Sequence, residues 1–186
     1  MRALILIIAL LAGLAPLPAA EQTVTLRLVG LSAPEREADL REVIGKIPEF
    51  TLASLDAAKA EVTLRFDPEK LFPPAKGKQP APAADKVLAR LDQLLGTAST
   101  RTFSLTERSA VTAEKLTKLE IPIGVLDCKG CRYAAYIAVA KLEGVERATV
   151  STTPSAVIAW VDAAKVKRED LVAALKKMRV ELPEAP

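Results

Sequence analysis

The chain has 186 residues, of which 26 are basic and 23 acidic, giving a formal net charge of +3. Aromatic residues make up only 4% of it and no basic cluster is interleaved with them, so we expect no nucleic-acid binding. The absence of histidine excludes Ser-His-Asp catalysis, histidine acid–base chemistry and Cys-His zinc sites.

Residues 1–20 have the pattern of a cleavable signal peptide. Arg2 provides a positive start, an apolar stretch follows, and small residues lead to Ala20, after which we expect cleavage. The apolar stretch is short for a membrane span and no later segment is long enough, so we expect no integral membrane protein after cleavage. The predicted location is periplasmic or secreted. A signal anchor that is retained is the alternative.

A first predicted domain covers 21–106 and a second covers 118–186, joined by a polar linker at 107–117. The patterns of apolar residues predict the same order of elements in each, namely strand, helix, strand, strand, helix and strand. In the first domain these fall at 22–31, 34–47, 49–56, 60–67, 83–96 and 101–106. In the second they fall at 118–126, 129–142, 145–152, 155–162, 168–178 and 179–183.

The two predicted domains align without a gap at an offset of 95 residues, as in 157 − 62 for Val157 and Val62. The shared order of elements predicts an α+β fold of two tandem ferredoxin-like βαββαβ domains, each an antiparallel sheet with two helices on one face. The proline-rich stretch at 68–84 interrupts the first copy. We interpret it as a solvated surface insertion, with a partner-docking segment as the alternative.

The only two cysteines, Cys128 and Cys131, have C-x-x-C spacing between a predicted strand and a predicted helix. With Cys128 in the loop and Cys131 in the first helical turn, both sulfurs can reach one point. Backbone N–H groups at a helix N-terminus favour the thiolate form that binds metal. The pair is therefore a candidate metal site.

The stretch from Ile121 to Cys131, with the following helix and Glu143-Gly144-Val145, resembles the heavy-metal-associated (HMA) domain. The resemblance covers roughly 118–183, and more weakly 22–106. It implies a metal carrier, scavenger or delivery domain without enzymatic activity, which holds one soft or borderline ion through Cys128 and Cys131. It also implies a membrane metal transporter or P-type ATPase as partner. The first copy has Ala33 and Arg36 at the positions of the cysteines, so it cannot bind metal in this way.

Asp127, before the first cysteine, is a candidate third ligand, since the Asp-Cys-x-x-Cys form resembles domains of zinc, cadmium and lead exporters. A carboxylate suits Zn(II), whereas Cu(I) is satisfied by sulfur alone. Cu(I) and Zn(II) are the expected ions, with Hg(II), Cd(II) and Pb(II) as further candidates. The alternative for Asp127 is a helix N-cap.

Two other functions fit the sequence. A C-x-x-C pair at a helix start also serves thiol-disulfide redox proteins, although no tryptophan stands beside the first cysteine. The chain could instead be a non-catalytic interaction module of a metal transport system. Tyr133 and Tyr136 are interpreted as packing or surface residues, and Trp160 as a cover for the open face of the sheet.

Overall fold

The structure, a computed structural model, describes residues 21–73, 82–108 and 111–183. The predicted signal peptide at 1–20 and residues 74–81 of the proline-rich stretch lie outside the described residues. Among the described residues no helix is both long enough and apolar enough to cross a bilayer.

The first half of the chain, residues 22–106, forms a four-stranded antiparallel sheet. Its strands stand in the order β2-β3-β1-β4, which is the ferredoxin-like order. The elements are β1 (Gln22–Val29), α1 (Arg36–Gly45), β2 (Phe50–Asp56), β3 (Glu61–Phe66), α2 (Pro68–Leu71), α3 (Ala84–Ala98) and β4 (Ser104–Thr106).

Alternation along β3 explains how this half buries its core. Val62, Leu64 and Phe66 point to one side and are almost fully buried, as period-2 patterning requires. They pack with buried leucines of the two longer helices, including Leu40 of α1 and Leu91 of α3. The apolar pattern thus predicted the core-facing positions of this sheet.

The second half of the chain, residues 117–182, has its own sheet and its own core. Its three assigned strands stand in the order β5-β7-β6, all antiparallel. The elements are a 3-10 turn (Ala113–Lys115) before the sheet, β5 (Thr117–Pro122), α4 (Lys129–Ala140), β6 (Val145–Thr152), β7 (Ser155–Val161) and α5 (Arg168–Lys177).

Residues aligned by the 95-residue offset occupy matching places in the two halves. Val62 and Val157 are both buried, with exposed fractions of 1% and 0%. Asp67 and Asp162 each follow a strand, and each carboxylate accepts a hydrogen bond from the backbone N–H two residues later. The prediction of an α+β fold with antiparallel sheets and helices is confirmed.

The last predicted strand, at 179–183, is not an assigned strand. Gly124 N–H donates to Glu181 C=O at 2.8 Å, so the segment does run beside the end of β5. The N–H of Ile123 donates to Ser155 C=O of β7. Because successive N–H groups of a strand point to opposite edges, the nitrogen of Pro122 faces the outer edge, away from β7. A proline has no N–H to offer there, which removes a bond that the ladder would need.

Two further differences concern helices of the first half. Residues 68–71 of the predicted insertion form the helical turn α2, because Asp67 caps it and Leu71, 1% exposed, enters the first core. Helix α3 runs from Ala84 to Ala98 and so continues past its predicted end at residue 96.

The two halves are joined by hydrogen bonds to otherwise open backbone groups. Arg27 of β1 donates to the carbonyl oxygens of Glu146 at 2.7 Å and Val145 at 2.5 Å. Ser32 C=O accepts from Val150 N–H at 2.9 Å and from the hydroxyl of Thr149 at 3.1 Å. The first half therefore occupies the free edge of β6, which would otherwise be open to pairing with other chains.

Candidate metal site

The C-x-x-C pair lies where the loop after β5 becomes helix α4. Cys128 is the N-cap residue, with φ −91° and ψ 139°, and Cys131 is the third residue of the helix. The sulfur of Cys128 accepts a hydrogen bond from Cys131 N–H at 2.9 Å. The sequence placed Cys128 in the loop and Cys131 in the first turn, and the structure has them there.

The two sulfurs are joined in a disulfide, and the Cα atoms are 5.2 Å apart. Both residues are exposed to solvent. A disulfide carries no thiolate, so this form has no free thiolate pair for a soft ion. Reduction by two electrons and two protons gives two thiols at the same helix start, and the donor set then fits a soft cation that accepts two sulfurs. The sequence prediction of a thiolate pair thus applies to the reduced protein.

Asp127 is exposed and is not the N-cap of α4, because Cys128 takes that position. The alternative interpretation of Asp127 as a cap is therefore wrong. In the described part of the chain no three His, Cys, Asp or Glu side chains are grouped so that they could hold a metal ion. A third ligand from Asp127 stays a prediction.

The loop before the cysteines is anchored by apolar packing. Leu126 packs against the second core, so it fills apolar space beneath the site. Val125, by contrast, is 79% exposed. A side chain at Gly124 would lie 3.1 Å from the Cβ of Glu181, a close contact that only a small shift of Glu181 would relieve.

Cationic side chains flank the cysteines. Lys129 and Arg132 line a cleft of about 250 Å³ together with Arg36 of the first half. Arg36 forms an ion pair with Asp39 and lies 4.9 Å above the ring of Phe103. Lys129 and Arg132, which are next to the cysteines in the sequence, would offset part of the charge of two thiolates in the reduced protein.

Two tyrosines hold α4 against the first half. The hydroxyl of Tyr136, 3% exposed, accepts a hydrogen bond from Gly30 N–H at 2.7 Å. The hydroxyl of Tyr133 donates to Thr102 C=O at 3.0 Å. We call these four residues the tyrosine dock. Burial raises the pKa of both phenols, and for Tyr133 the charge of Arg36 opposes this.

Gly30 is required by the geometry of the tyrosine dock. Its φ is +128°, which disfavours side chains, and an added Cβ would lie 2.4 Å from the ring of Phe103 and 2.6 Å from Thr102 C=O. The same backbone N–H is the donor to Tyr136. The loop that follows β1 is thus shaped to receive α4.

The loop of the first half that aligns with the cysteines has a different helix start. Ala33 and Arg36 take the aligned positions, and Arg36 N–H bonds Ala33 C=O in a turn ahead of α1. Helix α1 begins at Arg36, with Glu35 as its N-cap. The sequence of this half contains no cysteine.

Sequence reasoning missed the docking role of Tyr133 and Tyr136 and the part played by Arg27. The signal was present for the tyrosines, since the only two in the chain stand three residues apart on one helix. Arg27 gave no signal, because an arginine in a strand is ordinarily on a solvated face.

Comparisons with known proteins give a limited result. No family model matches the chain, and no curated protein matches it. Among solved structures, the water-soluble region of the P-type ATPase CopA from Bacillus subtilis matches with 16% identity and a TM-score of 0.34, over 88% of this chain and 91% of that chain. The N-terminal soluble domains of the same protein match with 16% identity and a TM-score of 0.33, over 88% and 93%. Similarity at this level establishes neither a shared fold nor a shared function.

Proposed function

We propose that the chain is a metal-binding protein that is exported and holds one soft ion between the sulfurs of Cys128 and Cys131, without enzymatic activity. The observation that carries the proposal is the convergence of both sulfurs at one helix start, where Cys131 N–H already bonds the sulfur of Cys128. The exposure of both residues leaves room for ligand exchange with a donor or acceptor protein. A membrane metal transporter or P-type ATPase is the partner that we propose.

Binding in this proposal requires the reduced protein. The disulfide takes up two electrons and two protons to give two thiols, and each thiol loses a proton when its sulfur binds the ion. Two soft sulfurs suit Cu(I), while Zn(II) needs further ligands, for which Asp127 is the candidate. Export to an oxidising compartment would make the disulfide the resting form, and a reductant or prompt metal loading would be needed to avoid it.

The test is a calorimetric titration of fully reduced protein with Cu(I), Zn(II) or Hg(II) under anaerobic conditions. We expect one equivalent of a soft ion to bind to the natural chain and none to bind tightly to Cys128→Ser/Cys131→Ser. A matched control is Ala33→Ser, which changes the position of the first half aligned with Cys128 and should keep the single equivalent. Tight stoichiometric binding by the double serine variant of the cysteine pair, or none by the natural chain, would refute the proposal.

A second candidate, thiol-disulfide exchange, is favoured by the disulfide itself and by the exposure of both cysteines. The balanced step would convert the protein disulfide and two small thiols into the protein dithiol and one small disulfide. Steady turnover in an insulin reduction assay, lost in Cys128→Ser, would favour this function over metal binding. No turnover, together with one bound ion, would favour the metal carrier.

A further inference from the structure

We infer that the first half of the chain is a positioning element for the cysteine pair, acting through Tyr133 and Tyr136. The inference deepens the proposed function, since it concerns the same two sulfurs. The property affected is the equilibrium between disulfide and dithiol, which can be measured without any metal. The tyrosine dock is the juxtaposition that carries it.

The start of α4 is intrinsically weak as a helix. Gly130 stands in the first turn, and a helical glycine costs about 0.5–1 kcal/mol relative to alanine. Cys128 is the N-cap, where serine, threonine, asparagine and aspartate are the favoured residues. Without outside support, this turn would fray readily and the two sulfurs would separate.

The tyrosine dock supplies that support at the right position. Tyr133 is only two residues after Cys131, and Tyr136 follows one turn later on the same side of the helix. Their rings lie 6.1 Å apart and their hydroxyls bond Thr102 and Gly30 of the first half. Fraying that spreads from Cys128 into the next turn must therefore break the buried contact of Tyr136 and the partly buried contact of Tyr133.

Holding the first turn helical keeps the two sulfurs close together in the reduced protein. A higher effective concentration of one thiol near the other favours closure of the disulfide, and it equally favours capture of one ion by both sulfurs. The cysteine-less half thus acts on the site through α4, without contributing a ligand. Loss of its contacts should make the disulfide easier to reduce.

The experiment measures the equilibrium of the metal-free protein with reduced and oxidised glutathione. Tyr133→Phe and Tyr136→Phe should each lower the equilibrium constant for disulfide formation by up to about tenfold, the change reached when the hydrogen bond is lost each time the disulfide opens. At 29.6 mV for each factor of ten, this raises the reduction potential by up to about 30 mV. Far-ultraviolet circular dichroism establishes that each variant is folded.

Thr149→Val is the matched control. It also removes one hydrogen bond between the halves, from Thr149 to Ser32 C=O, but that bond lies on β6 and not on α4. We expect a loss of stability in all three variants and a change of potential only in the two tyrosine variants. Unchanged potentials in both, or an equal change in Thr149→Val, would overturn the inference.

The outcome is separable from that of the proposed function. If the natural chain binds one ion and the tyrosine variants have the same reduction potential as the natural chain, the positioning role fails and the metal site stands. If the potential shifts as expected and the natural chain binds no ion, the positioning role stands and the metal function fails.

Discussion

The loops after β1 and after β5 occupy aligned places in the two halves, yet they do different things. The loop after β5 presents two sulfurs to solvent at the start of α4. The loop after β1 turns inward, where Gly30 receives Tyr136 and Ser32 pairs with β6. The second half carries the two sulfurs, and the first half contacts the helix at whose start they lie. In our proposal, a half without ligands contributes to the candidate metal site by contact alone.

The largest expected effects test whether the halves unfold together. Leu40→Ala in the first core and Leu171→Ala in the second should each lower the free energy of unfolding by about 2–5 kcal/mol, because both side chains are fully buried. Val29 of β1 belongs to the second core, so we expect both halves to unfold in one transition. The measurement is unfolding in urea, monitored by circular dichroism. Two transitions, with only one displaced in each variant, would show that the halves are independent.

Arg27→Met tests the contact between the halves more narrowly. Arg27 donates to the carbonyl oxygens of Val145 and Glu146, and hydrogen bonds from a charged group are the stronger kind. We expect the free energy of unfolding to fall by about 2–3 kcal/mol. Arg65→Met, which removes only a 3.7 Å exposed ion pair with Glu21, should change it by about 0.5 kcal/mol or less. Equal effects of the two changes would contradict the assigned role of Arg27.

Tyr136→Phe should show a dependence on pH that distinguishes the dock from ordinary packing. The substitution leaves the buried Gly30 N–H without its acceptor, at a cost of about 1–3 kcal/mol near pH 8. Burial raises the pKa of Tyr136 above its value in the unfolded chain, about 10. The stabilisation is therefore complete below that unfolded value and is lost as the pH rises through the folded pKa.

The measurement is the urea midpoint of both proteins between pH 8 and pH 11. We expect the difference in urea midpoint between the natural chain and Tyr136→Phe to become smaller as the pH rises. Lys59 and Lys165, whose pKa values are raised by hydrogen bonds to Asp56 and Glu143, titrate in both proteins and cancel in the comparison. A difference in midpoint that stays constant with pH would mean that burial does not raise the pKa of this phenol.

The smallest expected effect concerns Asp127. In Asp127→Ala, the affinity of the reduced protein for Zn(II) should fall by about tenfold or less, since an exposed carboxylate would be one ligand among several. The affinity for Cu(I) should not change, because two sulfurs already satisfy that ion. Asp127→Asn is the control for size. Unchanged zinc affinity in both variants would remove the carboxylate from the site.

The sequence predicted most of the fold because the signals were local. The alternation of Val62, Leu64 and Phe66, and its counterpart in β7, follows directly from a half-buried strand. The place of Cys128 and Cys131 also followed from spacing and from the helix pattern behind them. The missing last strand could have been anticipated from Pro122, whose absent N–H faces the edge where that strand would pair.

The contact between the halves could not be predicted in the same way. Arg27 and Ser32 bond backbone groups more than 100 residues away along the chain, and nothing in their local sequence marks these partners. The oxidised state of the cysteines was also open, since one spacing serves both disulfides and metal sites. Tertiary contact and redox state are set by distant residues and by surroundings, and not by local pattern.

Metal binding by the cysteine pair is tested most directly by one titration with Cu(I), carried out on the same protein before and after anaerobic reduction, with a competing chelator to measure affinity. We expect the oxidised protein to take up no ion and the reduced protein to take up one, held by Cys128 and Cys131. Equal uptake in both states, or none after complete reduction, would contradict it.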